Sequence, residues 1–328
     1  MAVYTALSEA AAAQIAAAHR LGALQHIEAV PAGSVNSNYM LHTDRGRFLR
    51  IYEEQQLDGV RYEWRLLAHL QAAALPVPAR VLGPEAGVLQ VAGKPVAVFQ
   101  CMPGEELCQA SVTTVHLAQL GAALARVHRV GREFLPQRPS RFAFDSLTPR
   151  LADVASRGGP ALAGVHRSLC EHHADLGRLC LPAGDTTIHG DLFRDNVRWQ
   201  EDAIVGILDW ESASWGRASY DLMTTLLAWC YGDDFDWTLA QALVGAYRRE
   251  MPLNKAQVDC LHADACQAAL RFTVTRITDF TLRTSSAPRV IKDHRRFLAR
   301  LERLRAMGEG AFLKHLRLDR GSDSSAKT

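Results

Sequence analysis

Apolar residues change their rhythm along this chain near residue 103. Before that point they come in short alternating or continuous runs bounded by Gly, Pro, Asn and Asp; beyond it they recur at helical spacing over long stretches. The first segment reads as a helix, Glu9 to Ala18, capped by Ser8 and ended near Gly22. From Ile27 to Ala32 the chain leads into the polar turn Gly33-Ser34-Val35-Asn36-Ser37-Asn38-Tyr39-Met40. A strand, the turn Thr43-Asp44-Arg45-Gly46 and a second strand, Arg47 to Tyr52, come next. A helix follows with the stripe Glu63, Leu66, Leu67, Leu70 and Ala74, and Leu75-Pro76-Val77-Pro78 breaks it. Strands Val88 to Val91 and Pro95 to Gln100 then flank Ala92-Gly93-Lys94.

Cys101-Met102-Pro103-Gly104-Glu105 closes the strand-rich part. This divides the chain into 1–102, a mainly helical 103–319, and a polar tail 320–328 that reads as disordered. Val115, Ala118, Gly121, Leu124, Ala125 and His128 share helical spacing, and His128 reads as a structural histidine. Residues 131–150 read as an irregular connection. Helical segments follow at 151–155 and 162–179, one opened by Ser219-Tyr220-Asp221-Leu222 runs through Trp229, and Trp237 to Arg317 reads as helical throughout. The class is α+β.

The departure from this pattern lies between Thr187 and Glu211. Two apolar runs, Asn196 to Trp199 and Ile204 to Leu208, flank Gln200-Glu201-Asp202 and read as a hairpin. Asp191 and Asn196 precede it and Asp209 follows it. Phosphoryl transfer asks for that chemistry: one carboxylate to take or orient the proton of an attacking hydroxyl, and hard oxygen ligands to hold Mg²⁺ against the nucleotide phosphates. Asp191 and Asn196 have the spacing of the base Asp and metal-binding Asn in kinase catalytic loops, and Asp209 stands at the second metal position.

With these residues, His-Gly-Asp-Leu-x-x-x-Asn followed by Ile-Leu-Asp-Trp-Glu, the chain resembles the aminoglycoside phosphotransferase-like kinases. The resemblance implies a bilobal protein-kinase-like fold, with a small antiparallel β-sheet lobe that binds nucleotide and a larger, mainly helical lobe. It also implies ATP as donor with Mg²⁺, Asp191 as catalytic base and Asn196 and Asp209 as metal ligands. Asp221 resembles the family's Tyr-Asp-Leu aspartate, whose expected task here is capping the helix and supporting the catalytic loop.

The turn before the first strand pair could lay backbone amides over phosphates. The candidate nucleotide contacts are Ser34, Asn36, Ser37 and Asn38 in that turn, Arg50 and Glu63, and Gln100 and Met102 at the lobe boundary. No lysine precedes Lys94, so Arg50 must take the part that kinases give to a strand lysine, with Glu63 as its partner. Gly87 and Gly93-Lys94 fail as a P-loop, because the spacing is one residue too long and Pro95 replaces the Ser or Thr. No G-x-G-x-x-G occurs.

Composition narrows the partners. The 328 residues are 48% hydrophobic and 22% charged with a formal net charge of +2, which gives no footprint for nucleic acid. Arginines over 271–305 are diluted by Asp279, Asp293 and Glu302. The seven cysteines contain no Cys-x-x-Cys pair and read as buried free thiols in a reducing compartment. No signal peptide or membrane-spanning run is visible, so the expected location is the cytoplasm.

Further patches point at the acceptor. Asn36-Ser37-Asn38-Tyr39, Asp191-Leu192-Phe193-Arg194-Asp195-Asn196-Val197, Ala228-Trp229-Cys230, and Ala269-Leu270-Arg271-Phe272 with Arg276 and Asp279 are similar to the homoserine kinases of this family. That resemblance implies L-homoserine as substrate, O-phospho-L-homoserine as product and a place in threonine biosynthesis. The family's usual Ala stands where this chain has Gly190, and its Asp-Phe-Tyr where this chain has Asp209-Trp210-Glu211. Asp-Trp-Glu is typical of the broader group, so an antibiotic kinase, or a protein kinase of the same fold, remains open beside it. A zwitterionic acceptor needs a cation for its carboxylate and an acid or carbonyls for its ammonium; Arg194, Glu211, Arg271 and Arg276 are the candidates, with Arg276 first for the carboxylate.

Overall fold

The computed structural model describes residues 4–30, 35–44, 46–83, 88–283 and 292–318. The chain forms two compact units. One comprises the described residues up to Gly104 with Val205–Glu211, and the other holds the remaining described residues. The division after Gly104 lies near the sequence boundary, but 205–211 belongs with the strand-rich unit.

In the first unit, α1 (Glu9–Ala18) starts at Ser8, whose hydroxyl accepts from the Ala11 amide at 3.2 Å. Strands β1 (His26–Val30), β2 (Ser37–His42), β3 (Arg47–Ile51), β4 (Gln90–Val91) and β5 (Lys94–Gln100) form one antiparallel sheet in the order β1-β2-β3-β5-β4. Ser37, Asn38 and Tyr39 are strand residues rather than turn residues, because Ser37 pairs in register with Ile51 and Tyr39 with Leu49. Polar side chains sit in this strand without penalty because each finds a partner. The Ser37 hydroxyl accepts from the amides of Tyr4 and Thr5 and donates to Glu53.

One sheet face carries Tyr39, Leu41, Leu49, Ile51, Val96 and Val98 against Ala12, Ile15 and Ala16 of α1. Full burial of each large aliphatic side chain contributes about 1.5–3 kcal/mol, which holds a helix this rich in alanine in place. Between β3 and β4 lies α2 (Leu57–Ala72), ended before the Pro76–Pro78 stretch. Glu63 falls in the second turn of α2.

The second unit is mainly helical. Its α3 (Thr114–Gly131) opens with a capping box between Thr113 and His116. The connection beyond it is shorter than the sequence implies: α4 (Leu147–Arg157) begins inside it, and α5 (Gly159–Gly177) follows almost directly. Strand β6 (Thr186–Ile188) leads into the 188–196 loop, and β7 (Val197–Gln200) and β8 (Ala203–Ile207) form a two-stranded sheet as the pattern anticipates. A short strand, β9 (Ser214–Gly216), pairs antiparallel with β6.

Then come α6 (Ala218–Trp229), α7 (Trp237–Glu250), α8 (Lys255–Arg276) and α9 (Arg295–His315). The stretch 237–317 is thus interrupted rather than continuous. Asn254 caps α8 in a box with Gln257, and α8 ends in a π turn, Ile277–Thr281. From Ala265 to Thr275 every residue of α8 is buried, the mark of a helix enclosed on all sides.

Helices α3 and α7 meet at Gly121, where an added Cβ would lie 2.2 Å from the Leu243 carbonyl oxygen. Backbone cannot yield as a flexible side chain can. Gly121→Ala is therefore expected to lower stability by about 1–3 kcal/mol. Thermal unfolding checks this, and an unchanged Tm would show that the helices separate freely.

Among the described residues no helix is long and apolar enough to cross a membrane. All seven cysteines are free, but only Cys230, Cys260 and Cys266 are buried, whereas Cys101, Cys108 and Cys180 are exposed. The expectation of buried thiols therefore holds for the late helices alone.

Candidate active site

The first unit carries an arginine among carboxylates. Strand alternation turns Arg50 away from the Leu49–Ile51 face, and β2 places Asn38 opposite it. Its Nε donates to Asn38 Oδ1 at 3.4 Å and its Nη1 to Asp209 Oδ1 at 2.9 Å, with Glu63 Oε1 at 3.8 Å. Asp209 reaches Arg50 because residues 205–211 are fixed within this unit. The Ile207 amide donates to the Pro76 carbonyl at 2.7 Å, and Trp210 Nε1 donates to the Ile207 carbonyl at 2.8 Å. Asp209 itself adopts a left-handed φ of 61°.

Burial pushes the Glu63 carboxyl up to about 7; Arg50 opposes this, while Asp209 and Glu211 add to it. Burial pulls the Arg50 guanidinium down, but Asp209 and Glu63 outweigh it and raise it. Glu63 Oε2 is buried with no hydrogen-bond partner. Asp209 supplies carboxylate oxygen of the kind a hard divalent cation prefers.

The neighbouring side chains differ from their sequence assignments. Ser37 is fully buried in the contacts above and offers its hydroxyl to no nucleotide. Asn36 donates to Glu211 Oε2 at 2.7 Å, so both Asn36 and Glu211 are engaged in a buried pair rather than open to ligands. Asn38 orients Arg50. Gln100 is exposed at the end of β5, Met102 is half-buried, and Ser34 lies outside the described residues. Lys94 pairs with Glu53 and with the Thr5 hydroxyl.

The second unit holds the Asp191–Asn196 loop. Asp221, fully buried at the start of α6, organises it. Its Oδ2 accepts from the His189 amide at 2.8 Å and its Oδ1 from the Gly190 amide at 2.8 Å. His128 Nε2 donates to Oδ2 at 3.0 Å, and His128 Nδ1 lies 2.7 Å from the Tyr247 hydroxyl. Burial alone would raise the Asp221 carboxyl, but the hydrogen bond and charge of His128 outweigh it and hold the carboxyl below the ordinary aspartate range. Gly190 has φ 76°, and a Cβ there would stand 3.3 Å from the Ser212 carbonyl oxygen, so glycine suits this bend. The Asn196 side-chain amide donates to the Asp191 carbonyl at 2.8 Å, closing the loop on itself.

Arg271, only 4% exposed, lies between the rings of Phe142 and Phe272 with its guanidinium carbon 4.0 and 3.8 Å from their centroids. Its Nη1 donates to the Gly190 carbonyl at 3.3 Å and stands 3.6 Å from Asp191 Oδ1. It is buried and holds the loop at Gly190, which differs from its expected part as a clamp for the acceptor carboxylate. Arg194 turns toward Gln109 Oε1 and the Ala228 carbonyl, away from an acceptor role. Arg276 ends α8 with its Nε buried and unpartnered. Phe142 and Tyr247 were not legible as site residues, since an isolated aromatic carries no spacing signal.

Two solved structures share this fold. Over 92% of this chain and 93% of the other, the fold superposes on an amicoumacin kinase solved with AMP-PNP and Ca²⁺, with TM-score 0.66 and 18% identity. A choline/ethanolamine kinase family protein from Mesorhizobium loti gives TM-score 0.64 and 19% identity over 94% and 98% of the two chains. The model of the phosphotransferase enzyme family matches residues 26–253, and the chain belongs to that family. A homoserine kinase from Nitrobacter hamburgensis is 36% identical over 290 residues, 85% of this chain and 87% of that protein. One from Rhodospirillum rubrum is 32% identical over 95% of this chain and 99% of its own length.

Proposed function

We propose that the protein transfers the γ-phosphoryl group of ATP to the hydroxyl of L-homoserine, giving O-phospho-L-homoserine for threonine biosynthesis. The observation that carries this reading is the nearly full-length identity to homoserine kinases. Asp191 is the proposed base: it would accept or orient the hydroxyl proton while Asn196 and Asp221 fix its loop.

Asn196 and Asp209 would hold Mg²⁺, and both supply the hard oxygen atoms it prefers. Mg²⁺ in nucleotide sites relies on one or two protein oxygens plus phosphates, which is the number these two residues would supply. Such an ion, when bound, neutralises charge on the β- and γ-phosphates. Arg50 would bind the phosphates and Glu63 would anchor Arg50. Arg50→Ala is expected to raise KM for ATP and lower kcat, and Arg50→Lys to recover part of both; wild-type KM and kcat in Arg50→Ala would remove Arg50 from this role.

The deciding experiment is steady-state phosphorylation of L-homoserine beside choline, methylthioribose and kanamycin at equal Mg²⁺ and ATP. The expected result is a kcat/KM for homoserine far above the rest. Values no better than for the others would move the reading to the antibiotic kinases.

A further inference from the structure

Asp209 sits in a bend that no glycine eases. Its φ of 61° is left-handed, a conformation that costs a residue with a side chain about 1 kcal/mol. Such strain persists only where the flanking chain is held on both sides. Before the bend, the Ile207 amide donates to the Pro76 carbonyl at 2.7 Å. After it, both holds fall on Glu211. Its Oε2 accepts from the Asn36 side-chain amide at 2.7 Å, and its carbonyl accepts from Gln55 Nε2 at 3.3 Å. All of these residues belong to the strand-rich unit.

The Asn36 end of this brace is itself fixed. Asn36 is 4% exposed and Glu211 6%, so the pair is closed to solvent. Asn36 Oδ1 accepts from the Glu53 amide at 3.3 Å, which turns the NH₂ group toward Glu211. The Glu53 carboxylate in turn accepts from the Thr5 hydroxyl at 3.0 Å, from the Ser37 hydroxyl and from Lys94. A run of hydrogen bonds thus extends from Lys94 through Glu53 and Asn36 to Glu211, two residues beyond Asp209. An apolar pair would pack this position at less desolvation cost, so the buried charge points to orientation rather than to stability.

We infer that Asn36 is a positioning residue for Asp209: by holding Glu211 it sets the bend that aims the Asp209 carboxylate at the metal-bearing nucleotide. The inference rests on the metal-binding part of the proposed function. It gives Asn36 and Glu211 a task other than touching nucleotide or acceptor. Partners that orient a metal-binding carboxylate are worth about 10–100-fold in metal affinity.

The test is calorimetric binding of ADP with and without Mg²⁺, since the ratio of the two affinities isolates the gain due to metal. Three proteins are compared: wild type, Asn36→Asp, and Asn36→Asp combined with Glu211→Gln. Asn36→Asp keeps an acceptor for the Glu53 amide but sets a carboxylate against Glu211, and should cut the gain about tenfold. The double variant restores one donor and one acceptor at the total charge of wild type, and should recover most of the gain. A gain unchanged in Asn36→Asp overturns the inference. That is also the result of a merely structural role, which would weaken ADP equally with and without metal. A loss that the double variant leaves in place overturns it too, because a metal ligand at Glu211 would give that result. If Asn36→Asp does not fold, Gln55→Ala removes the other hold from a half-buried position. A gain reduced roughly threefold there supports the inference, and a wild-type gain overturns it. No gain in wild type overturns the inference together with the metal role of Asp209. No acceptor enters the measurement, so failure of homoserine as a substrate is a separate result.

Discussion

Asp191→Asn should lower kcat on the order of a thousandfold while leaving KM for ATP within a few-fold of wild type. The substitution keeps the shape of the side chain and removes its capacity to take a proton. The loop should survive it, because what holds the loop is backbone. Asn196 donates to the Asp191 carbonyl, the Asp191 amide meets His189 Nδ1 at 3.3 Å, and Asp221 secures the two preceding amides. A lost rate therefore reports on chemistry and not on folding. Pre-steady-state kinetics with saturating ATP would check it, and retention of more than roughly a tenth of wild-type kcat would remove Asp191 as the base.

Asp221→Ala should be the most damaging change to stability. The carboxylate is fully buried and serves two amides and one imidazole, so truncation leaves three buried donors without an acceptor. Breaking a buried charged pair costs about 3–5 kcal/mol, a fall in Tm on the order of 10 °C. The rate should fall too, since the His189–Gly190 peptide sets the position of Asp191. The same carboxyl predicts acid sensitivity. Its pKa is depressed in the fold, so its stabilisation is fully present above the unfolded aspartate value of about 4 and is lost as pH drops through the lower folded value. Asp221→Asn should flatten the stability profile in that acid range. A variant with wild-type Tm at pH 7 would contradict the whole assignment.

The local chemistry was legible in the sequence wherever a residue type is bound to a spacing. Ser8 marked the start of α1, the Pro76–Pro78 stretch marked the end of α2, and Gln200-Glu201-Asp202 marked the hairpin. Asp191, Asn196 and Asp209 stood out for the same reason. Side-chain direction was not legible. Ser37 and Asn38 look like turn residues because their preference for turns is real, yet strand pairing with β3 and buried partners overrode it. Glu211 was a candidate by its charge, and Arg194 and Arg271 by charge within patches similar to homoserine kinases; neither signal reveals whether an internal partner has already claimed the group. Arg271 shows the limit well: its aromatic neighbours, Phe142 and Phe272, are 130 residues apart in sequence but flank one guanidinium.

The Ser37 hydroxyl that accepts from the amides of Tyr4 and Thr5 has a practical corollary. Leu7 donates its amide to the Tyr39 hydroxyl at 3.0 Å, and Tyr39 donates back to the Thr5 carbonyl at 2.8 Å, so residues 4–7 are laced to the strand that faces Arg50 across the sheet. A trimming protease that removed these residues would strip β2 of four hydrogen bonds and uncover Tyr39 and Leu41 at one stroke. For anyone producing the enzyme, an affinity tag belongs at the other end of the chain.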